Sequence, residues 1–168
     1  MAILIAYYSR AGENYFGGSY RRIPVGNTRR VAEQLASLTG GDLLELRQAH
    51  PYSDDYRTCV AQARADWQQS VRPELLGLPK DLAGYDRIYL GYPNYCGTMP
   101  MAVYTFLEHY DFTGKVICPF CTHEGSGLGR SERDIKRLCP GASVKPGLAL
   151  HGGSVRNALP ALQAWLGN

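Results

Sequence analysis

The chain begins with the apolar run Ile3-Leu4-Ile5-Ala6-Tyr7-Tyr8, which ends at the polar stretch Ser9-Arg10-Ala11-Gly12. A second polar stretch, Gly26-Asn27-Thr28, precedes the next regular pattern. Apolar residues then recur at helical spacing through residues 31–38. The pattern predicts a buried strand, a turn rich in glycine and hydroxyl groups, and a helix N-terminus. The first N–H groups of a helix have no acceptor inside it, and the helix dipole adds partial positive charge there. Such a turn suits a phosphate group, although ordinary cap residues give the same pattern.

Residues 13–25 separate the two ends of this turn and are too many for a tight loop. The segment is rich in glycine and in aromatic residues, namely Tyr15, Phe16 and Tyr20. We interpret it as an insertion within the turn.

The bulk properties are those of an ordinary globular protein. The chain has 168 residues, of which 45% are hydrophobic and 20% charged. This length predicts one domain, residues 1–168, with a single core. No apolar run is long enough to span a membrane, and the apolar start lacks the basic leader of a signal peptide. We therefore expect a cytoplasmic protein without a membrane partner.

The five cysteines are Cys59, Cys96, Cys118, Cys121 and Cys139. Their odd number and irregular spacing argue against a disulfide framework. Cys118 and Cys121 match C-x-x-C, but they end an apolar run that reads as a strand, whereas a redox C-x-x-C normally opens a helix. No second ligand pair lies nearby to complete a zinc site. Buried thiols in a sheet are the preferred interpretation, and no metal is expected.

Positive charge is concentrated near the first turn. The net charge is +3, and residues 1–30 hold five arginines against Glu13 alone, a sum of +4. A basic patch there suits a phosphate ligand or an acidic partner. A solvated loop that carries arginines is the alternative, and for Arg21 and Arg22 it is the preferred interpretation. Nucleic acid is not expected, because the patch is small and the rest of the chain is not basic.

Strand and helix patterns alternate along the whole chain. The predicted strands are residues 3–8, 43–46, 86–92, 115–121 and 144–150. Pro146 interrupts the last of them, which indicates an edge strand or a bulge there. The predicted helices follow Thr28 and cover residues 55–71, 100–110, 131–138 and 155–166. This alternation predicts an α/β fold with a doubly wound, five-stranded parallel sheet. The long, unusual loops follow strands one, three and four, which favours the strand order 2-1-3-4-5.

At this point the chain resembles the flavodoxin family. The first loop resembles the family's phosphate motif, Thr/Ser-x-Thr-Gly-Asn-Thr, split so that Ser9 supplies its start and Gly26-Asn27-Thr28 its end. The third-strand loop, residues 92–100, resembles the first flavin-ring loop. The fourth-strand loop, residues 122–129, resembles the second ring loop. The resemblance covers essentially the whole chain, and the three motifs occur in the expected order.

The resemblance implies FMN as cofactor. Ser9 and Thr28 hydroxyls with the N–H groups of Asn27 and Thr28 would meet the phosphate, and Arg10 would add charge. Tyr95 is the natural residue to stack on the flavin ring, with a surface-loop role as the alternative. The implied cofactor-binding residues are Ser9, Arg10, Asn27, Thr28, Pro93, Asn94, Tyr95, Cys96, Gly97, Thr122, His123, Glu124, Gly125 and Ser126. No catalytic residue and no metal ligand is assigned.

Two departures from electron-carrier flavodoxins leave the activity open. The chain is mildly basic rather than acidic, and its second ring loop offers only the His123 ring where those carriers have a tyrosine. An open flavin face would admit a substrate such as a quinone, unless the insertion folds over it. The leading hypothesis is an FMN-binding electron carrier between redox partners. The alternatives are an FMN-dependent NAD(P)H:quinone or small-molecule reductase, and a non-redox binding module with the same fold.

Overall fold

The computed structural model describes residues 2–168. The strands are β1 (Ala2–Tyr7), β2 (Gly12–Phe16), β3 (Ser19–Ile23), β4 (Asp42–Glu45), β5 (Arg47–Gln48), β6 (Leu75–Leu76), β7 (Tyr85–Pro93), β8 (Val116–His123), β9 (Ser143–Val144) and β10 (Leu148–His151). The α-helices are α1 (Asn27–Thr39), α2 (Tyr56–Gln68), α3 (Met101–His109), α4 (Ser131–Leu138) and α5 (Leu159–Leu166). A 3₁₀ helix covers Gly152–Asn157.

The central sheet is parallel and has the predicted order. Its strands run β4-β1-β7-β8-β10, and β9 also pairs with β8. The last predicted strand is therefore divided into two short strands, β9 and β10, which both pair with β8. Pro146 lies between them, and it has no N–H to donate to a sheet hydrogen bond. The order 2-1-3-4-5 is confirmed, and it brings the carboxyl ends of β1, β7 and β8 side by side.

Helices cover both faces of this sheet, and the central strands are therefore buried on both sides. Leu4 and Ala6 of β1 belong to the hydrophobic cluster that contains Phe106 of α3. Ile5 belongs to the opposite cluster, which contains Leu35 of α1. Successive residues of a strand thus point to opposite helical layers, as the pleat requires.

The same alternation separates the two cysteines of the C-x-x-C sequence. Cys118 lies in the layer of α1, and Cys121 lies in the layer of α3. Both are buried, and all five cysteines of the chain are free thiols. The interpretation of these residues as buried thiols in a sheet is confirmed.

The insertion forms a β-hairpin, which the sequence reading did not specify. Strands β2 and β3 pair antiparallel, with Tyr15 opposite Tyr20. Gly17 and Gly18 form the turn at φ +62° and +84°, so both central residues have the positive φ of a type I′ hairpin turn.

Two helix ends differ from expectation. The helix predicted over residues 55–71 is α2, Tyr56–Gln68, and Asp55 caps it, because its carboxylate accepts a hydrogen bond from the Thr58 N–H at 2.9 Å. The C-terminal helix begins at Leu159 instead of residue 155, after the 3₁₀ segment. Pro160 lies in its first turn, where the missing N–H costs no helical hydrogen bond.

Within residues 2–168, no helix combines the length and hydropathy needed to cross a bilayer.

Candidate functional site

A cavity opens at the carboxyl ends of β1, β7 and β8, where open α/β sheets bind ligands. It is lined by Arg10, Asn14, Tyr15, Phe16, Asn27, Thr28, Tyr56, Pro93, Asn94, Tyr95, Thr122, His123, Glu124, Ser126 and Gly152. We call it the polar cavity.

One wall of the polar cavity is the N-terminus of α1. The N–H groups of Asn27 and Thr28 have no acceptor within the helix, while the Arg29 N–H donates to Ser9 Oγ at 3.0 Å. A Cβ on Gly26 would lie 2.2 Å from Ser9 Oγ, so only glycine permits this approach of the first loop to the helix. The result is a pair of free donors at the positive end of a helix, a suitable anion site.

Thr28 also connects this helix to the end of β8. Its hydroxyl lies 2.9 Å from the hydroxyl of Thr122, and both residues are buried. One hydroxyl donates to the other, which leaves a further hydrogen-bonding position on the pair.

Arg10 fastens the first loop to its surroundings. Its guanidinium donates to the carbonyl oxygens of Glu13 at 3.1 Å, Ser53 at 2.9 Å and Asp54 at 2.8 Å. Arg10 thus brings positive charge to the cavity wall while holding the hairpin and the start of α2 in place. Its predicted contact with a phosphate stays a prediction.

The loop after β7 has a tight turn at its tip. Tyr95 and Thr98 exchange two backbone hydrogen bonds of 3.0 Å, and Cys96 and Gly97 between them have φ of +54° and +78°. Cys96 is therefore a non-glycine residue in the left-handed region, which costs conformational energy.

Asn94 connects this loop to the one after β8. Its N–H donates to the Thr122 carbonyl at 2.9 Å, its amide NH₂ donates to Gly127 O at 2.9 Å, and its amide oxygen accepts from Gly97 N at 3.1 Å. The Gly97 carbonyl accepts from Arg130 N at 2.8 Å. These contacts hold the two predicted ring loops in one rigid unit.

The ring of Tyr95 stands between the polar cavity and a second, apolar cavity. It packs edge-on against Tyr8, with centroids 5.9 Å apart and planes at 78°. Burial raises the pKa of the Tyr95 phenol well above its ordinary value, so it is neutral at physiological pH. The apolar cavity holds about 370 Å³ and shares Tyr56, Asn94 and Tyr95 with the polar cavity, which holds about 180 Å³.

On the β8 side, His123 has a defined hydrogen bond. Its Nδ1 accepts from Gly125 N at 2.8 Å, which places the proton of the neutral ring on Nε2. The ring centroid lies 4.4 Å from that of His151. Burial lowers the pKa of His123 below its ordinary value, and the charge of His151 lowers that pKa further.

The hairpin lies over the cavity and is held at both ends. At its tip, Gly17 N donates to Glu124 Oε2 at 3.0 Å. At its base, Glu13 Oε1 accepts from Tyr56 N, the first residue of α2, at 2.8 Å. Phe16 of the hairpin lines the cavity, so of the two alternatives left open by the sequence, an open flavin face or an insertion folded over it, the position of the hairpin favours the second.

A buried carboxylate on α4 binds the end of the loop after β7. Asp134 of α4 accepts hydrogen bonds from the hydroxyls of Thr98, at 2.7 Å, and Tyr104. Burial and this carboxylate raise the pKa of Tyr104 to about 12. The network fixes the end of the loop against α3 and α4.

The structure brings together most of the predicted residues. Those that line the polar cavity are Arg10, Asn27, Thr28, Pro93, Asn94, Tyr95, Thr122, His123, Glu124 and Ser126. Ser9, Gly97 and Gly125 lie in the neighbouring loops without lining it, and Cys96 lines the apolar cavity instead. Their predicted contacts with a cofactor stay predictions.

Five lining residues were not in the predicted set, namely Asn14, Tyr15, Phe16, Tyr56 and Gly152. Three belong to the insertion, and its Gly-Gly pair was the signal that a hairpin forms there. Gly152 has no such signal, yet a Cβ there would lie 2.5 Å from Glu124 Oε1 and 2.9 Å from Phe16 Cβ.

The donor set suits a phosphate ester attached to a flat ring. Free helix N–H groups and hydroxyls line the polar cavity, and the apolar cavity beside it is lined mainly by aromatic, aliphatic and thiol side chains, together with Arg64 and Asn94. Within residues 2–168, no group of three His, Cys, Asp or Glu side chains is placed to hold a metal ion.

The model of the family described as flavodoxin matches residues 3–168. A solved structure assigned as a flavoprotein from Bacteroides uniformis is 26% identical, with a TM-score of 0.77, over 99% of this chain and 98% of that chain. One assigned as a flavoprotein from Bacteroides eggerthii is 27% identical, with a TM-score of 0.73, over 96% and 98% of the two chains. A flavoprotein in complex with FMN from Lactobacillus acidophilus is 20% identical, with a TM-score of 0.62, over 95% and 98%. No curated protein matches the chain.

Proposed function

The chain belongs to the flavodoxin family, and on that premise we propose that it binds FMN and transfers electrons through it. The observation that carries this proposal is the meeting of the α1 N-terminus with both ring loops in one cavity. FMN, when bound, supplies the redox chemistry, and the protein supplies binding, orientation and electrostatics.

The phosphate would bind at the α1 N-terminus. The N–H groups of Asn27 and Thr28 donate there, the pair of Thr28 and Thr122 offers a hydroxyl, and Arg10 contributes charge. These donors surround a single position, so they suit the one terminal phosphate of FMN. The Lactobacillus acidophilus flavoprotein of the same fold was solved with FMN, in agreement with this choice of ligand.

The ring would lie against the loop of residues 94–97, where Tyr95 offers a flat apolar wall. Asn94 keeps this loop in register with the loop after β8, so the backbone groups at residues 123–126 are held at a fixed distance. Phe16 of the hairpin also lines the cavity, where its ring would shield the bound flavin from water.

We propose the role of an electron carrier between redox partners, with a small-molecule reductase as the second candidate. The observation that favours the second is an apolar rim beside the ring loop. Trp67 is 39% exposed and Val60 36%, and both line the apolar cavity. A small aromatic acceptor, such as a quinone, could use such a rim, whereas a carrier could bury it against a partner.

Anaerobic turnover of the FMN-loaded protein separates the two roles. A carrier should be reduced slowly by NADH or NADPH alone, and quickly once a separate flavoprotein reductase is added. Rapid reduction by NADH or NADPH alone, with steady turnover of a soluble naphthoquinone, would replace the carrier role by the reductase. A protein that never takes up FMN would overturn both.

A further inference from the structure

A cleft next to the polar cavity is lined by four arginines from three separate parts of the fold. Arg21 and Arg22 come from β3, Arg30 from α1 and Arg156 from the 3₁₀ helix. The cleft holds about 260 Å³, and no aspartate or glutamate lines it. We call it the arginine cleft.

Two of the four guanidinium groups, those of Arg21 and Arg22, already have partners, and the other two have their hydrogen-bond donors free. Arg22 pairs with Asp54 at 2.6 Å, and Arg21 lies 5.0 Å from the centre of the Phe16 ring, where it donates to Ser19 Oγ at 3.2 Å. Within residues 2–168, the side chains of Arg30 and Arg156 donate no hydrogen bond. Their charges are therefore available to a ligand.

The nearest carboxylates already have partners. Glu33 lines an adjoining cavity with Arg30 and Arg156, but it pairs with Arg29 at 2.8 Å. Glu124 accepts the Gly17 N–H at the tip of the hairpin. The cleft thus keeps an excess of positive charge, which a small apolar ligand or a cation would not match.

The arginine cleft is separate from the α1 donors but shares walls with the polar cavity. Phe16, Asn27 and Gly152 line both. A ligand with phosphate in the cleft is therefore held beside whatever fills the polar cavity. Guanidinium groups suit phosphate because their planar N–H pairs match two of its oxygens.

We propose that the arginine cleft binds the 2′-phosphate of a phosphorylated nicotinamide dinucleotide, and so selects it over the unphosphorylated form. This inference rests on the second of the two proposed roles, the FMN-dependent reductase, because a dinucleotide bound there would be the electron donor. In that step the dinucleotide loses a hydride and is oxidised, and the cofactor takes up two electrons and one proton.

Binding of adenosine 2′,5′-bisphosphate and of 5′-AMP tests the phosphate site without any redox step. Calorimetry on the FMN-loaded chain should show the bisphosphate binding at least about tenfold more tightly, the effect of one charged hydrogen-bonded contact. R30Q and R156Q should each reduce this preference severalfold. R133Q, which changes an exposed arginine on α4, is the matched control and should leave the preference intact.

Equal affinity for the two nucleotides, or a preference that survives in the R30Q/R156Q double variant, would overturn the inference and leave these arginines to an acidic protein surface. As a second readout, NADPH should bind the wild type more tightly than NADH does, whereas the two dinucleotides should bind the R30Q/R156Q double variant with the same affinity. FMN is titrated separately in each variant. A wild-type chain that prefers the bisphosphate in the absence of flavin but takes up no FMN would overturn the proposed function instead, so the two failures are distinguishable.

Discussion

The side-chain hydroxyls of Thr28 and Thr122 lie 2.9 Å apart in the protein interior, although 94 residues separate them in the chain. The contact joins the first turn of α1 to the end of β8. It thereby sets the distance between the proposed phosphate donors and the second ring loop.

Replacing Thr28 by valine keeps the side-chain shape and removes this hydroxyl contact. Because Thr122 is then left with a buried, unpaired hydroxyl, we expect the free energy of unfolding to fall by about 1–2 kcal/mol. FMN should bind about 1–3 kcal/mol more weakly, the range for hydrogen bonds to charged groups, while riboflavin should be nearly unaffected. Denaturant melts and fluorescence titrations measure both. Thr39→Val, at the other end of the helix, is the control for FMN affinity, and equal losses for FMN and riboflavin would place Thr28 away from the phosphate.

The buried carboxylate of Asp134 should matter for the shape of the site as well as for stability. Asp134→Asn weakens two hydrogen bonds to a charged acceptor, from Thr98 and Tyr104, and we expect a loss of about 2–3 kcal/mol in unfolding free energy. Because Thr98 ends the loop after β7, riboflavin and FMN affinity should fall together. The exposed Asp86→Asn serves as control. An unchanged melting curve would show that Asp134 does not stabilise this loop.

The two neighbouring histidines make the site sensitive to acid. Burial and the charge of His151 hold the pKa of His123 in the folded protein below the usual value of about 6.5. The folded state therefore binds fewer protons than the unfolded state near this pH. The resulting contribution to stability is present above about pH 6.5 and is lost as the pH falls through the folded pKa.

NMR titration of the imidazole resonances measures this directly. His151→Asn should raise the pKa of His123, since it removes a neighbouring cation, while His109→Asn on α3 should not. A His123 pKa at or above the ordinary value in the wild type would contradict the prediction.

The hairpin should control how fast the cofactor enters and leaves. Glu124→Ala removes the acceptor of the Gly17 N–H, so the tip is released while the base stays attached at Tyr56. We expect faster hydrogen exchange at Gly17 and severalfold faster FMN dissociation in stopped-flow experiments. Glu132→Ala is a matched control, because its carboxylate also accepts a backbone N–H, from Gly147 at 2.9 Å, but between α4 and the segment that joins β9 to β10. If both variants release FMN at the wild-type rate, the hairpin does not act as a cover.

The sheet order was predictable because two features of the sequence agreed. Apolar runs alternate with helical patterns, and the unusual loops follow the first, third and fourth runs. The hairpin was only partly predictable. Its Gly17-Gly18 turn was visible, but the sequence does not show that Glu13 and Glu124 fix its two ends.

The site was harder to predict than the fold for a physical reason. Residues on the three motif loops were found from local pattern, whereas Tyr56 and Gly152 reach the cavity through packing of distant elements. Arg10 illustrates the same limit. Its charge near the turn was evident from the sequence, but its hydrogen bonds to Ser53 and Asp54 depend on where α2 begins.

The central claim, that this chain holds FMN in the polar cavity, is tested most directly by fluorescence titration of FMN with the ligand-free protein. We predict quenching that saturates at one FMN per chain, with FMN and not FAD released on denaturation. A protein that is isolated without flavin and does not quench FMN fluorescence on reconstitution would contradict the account.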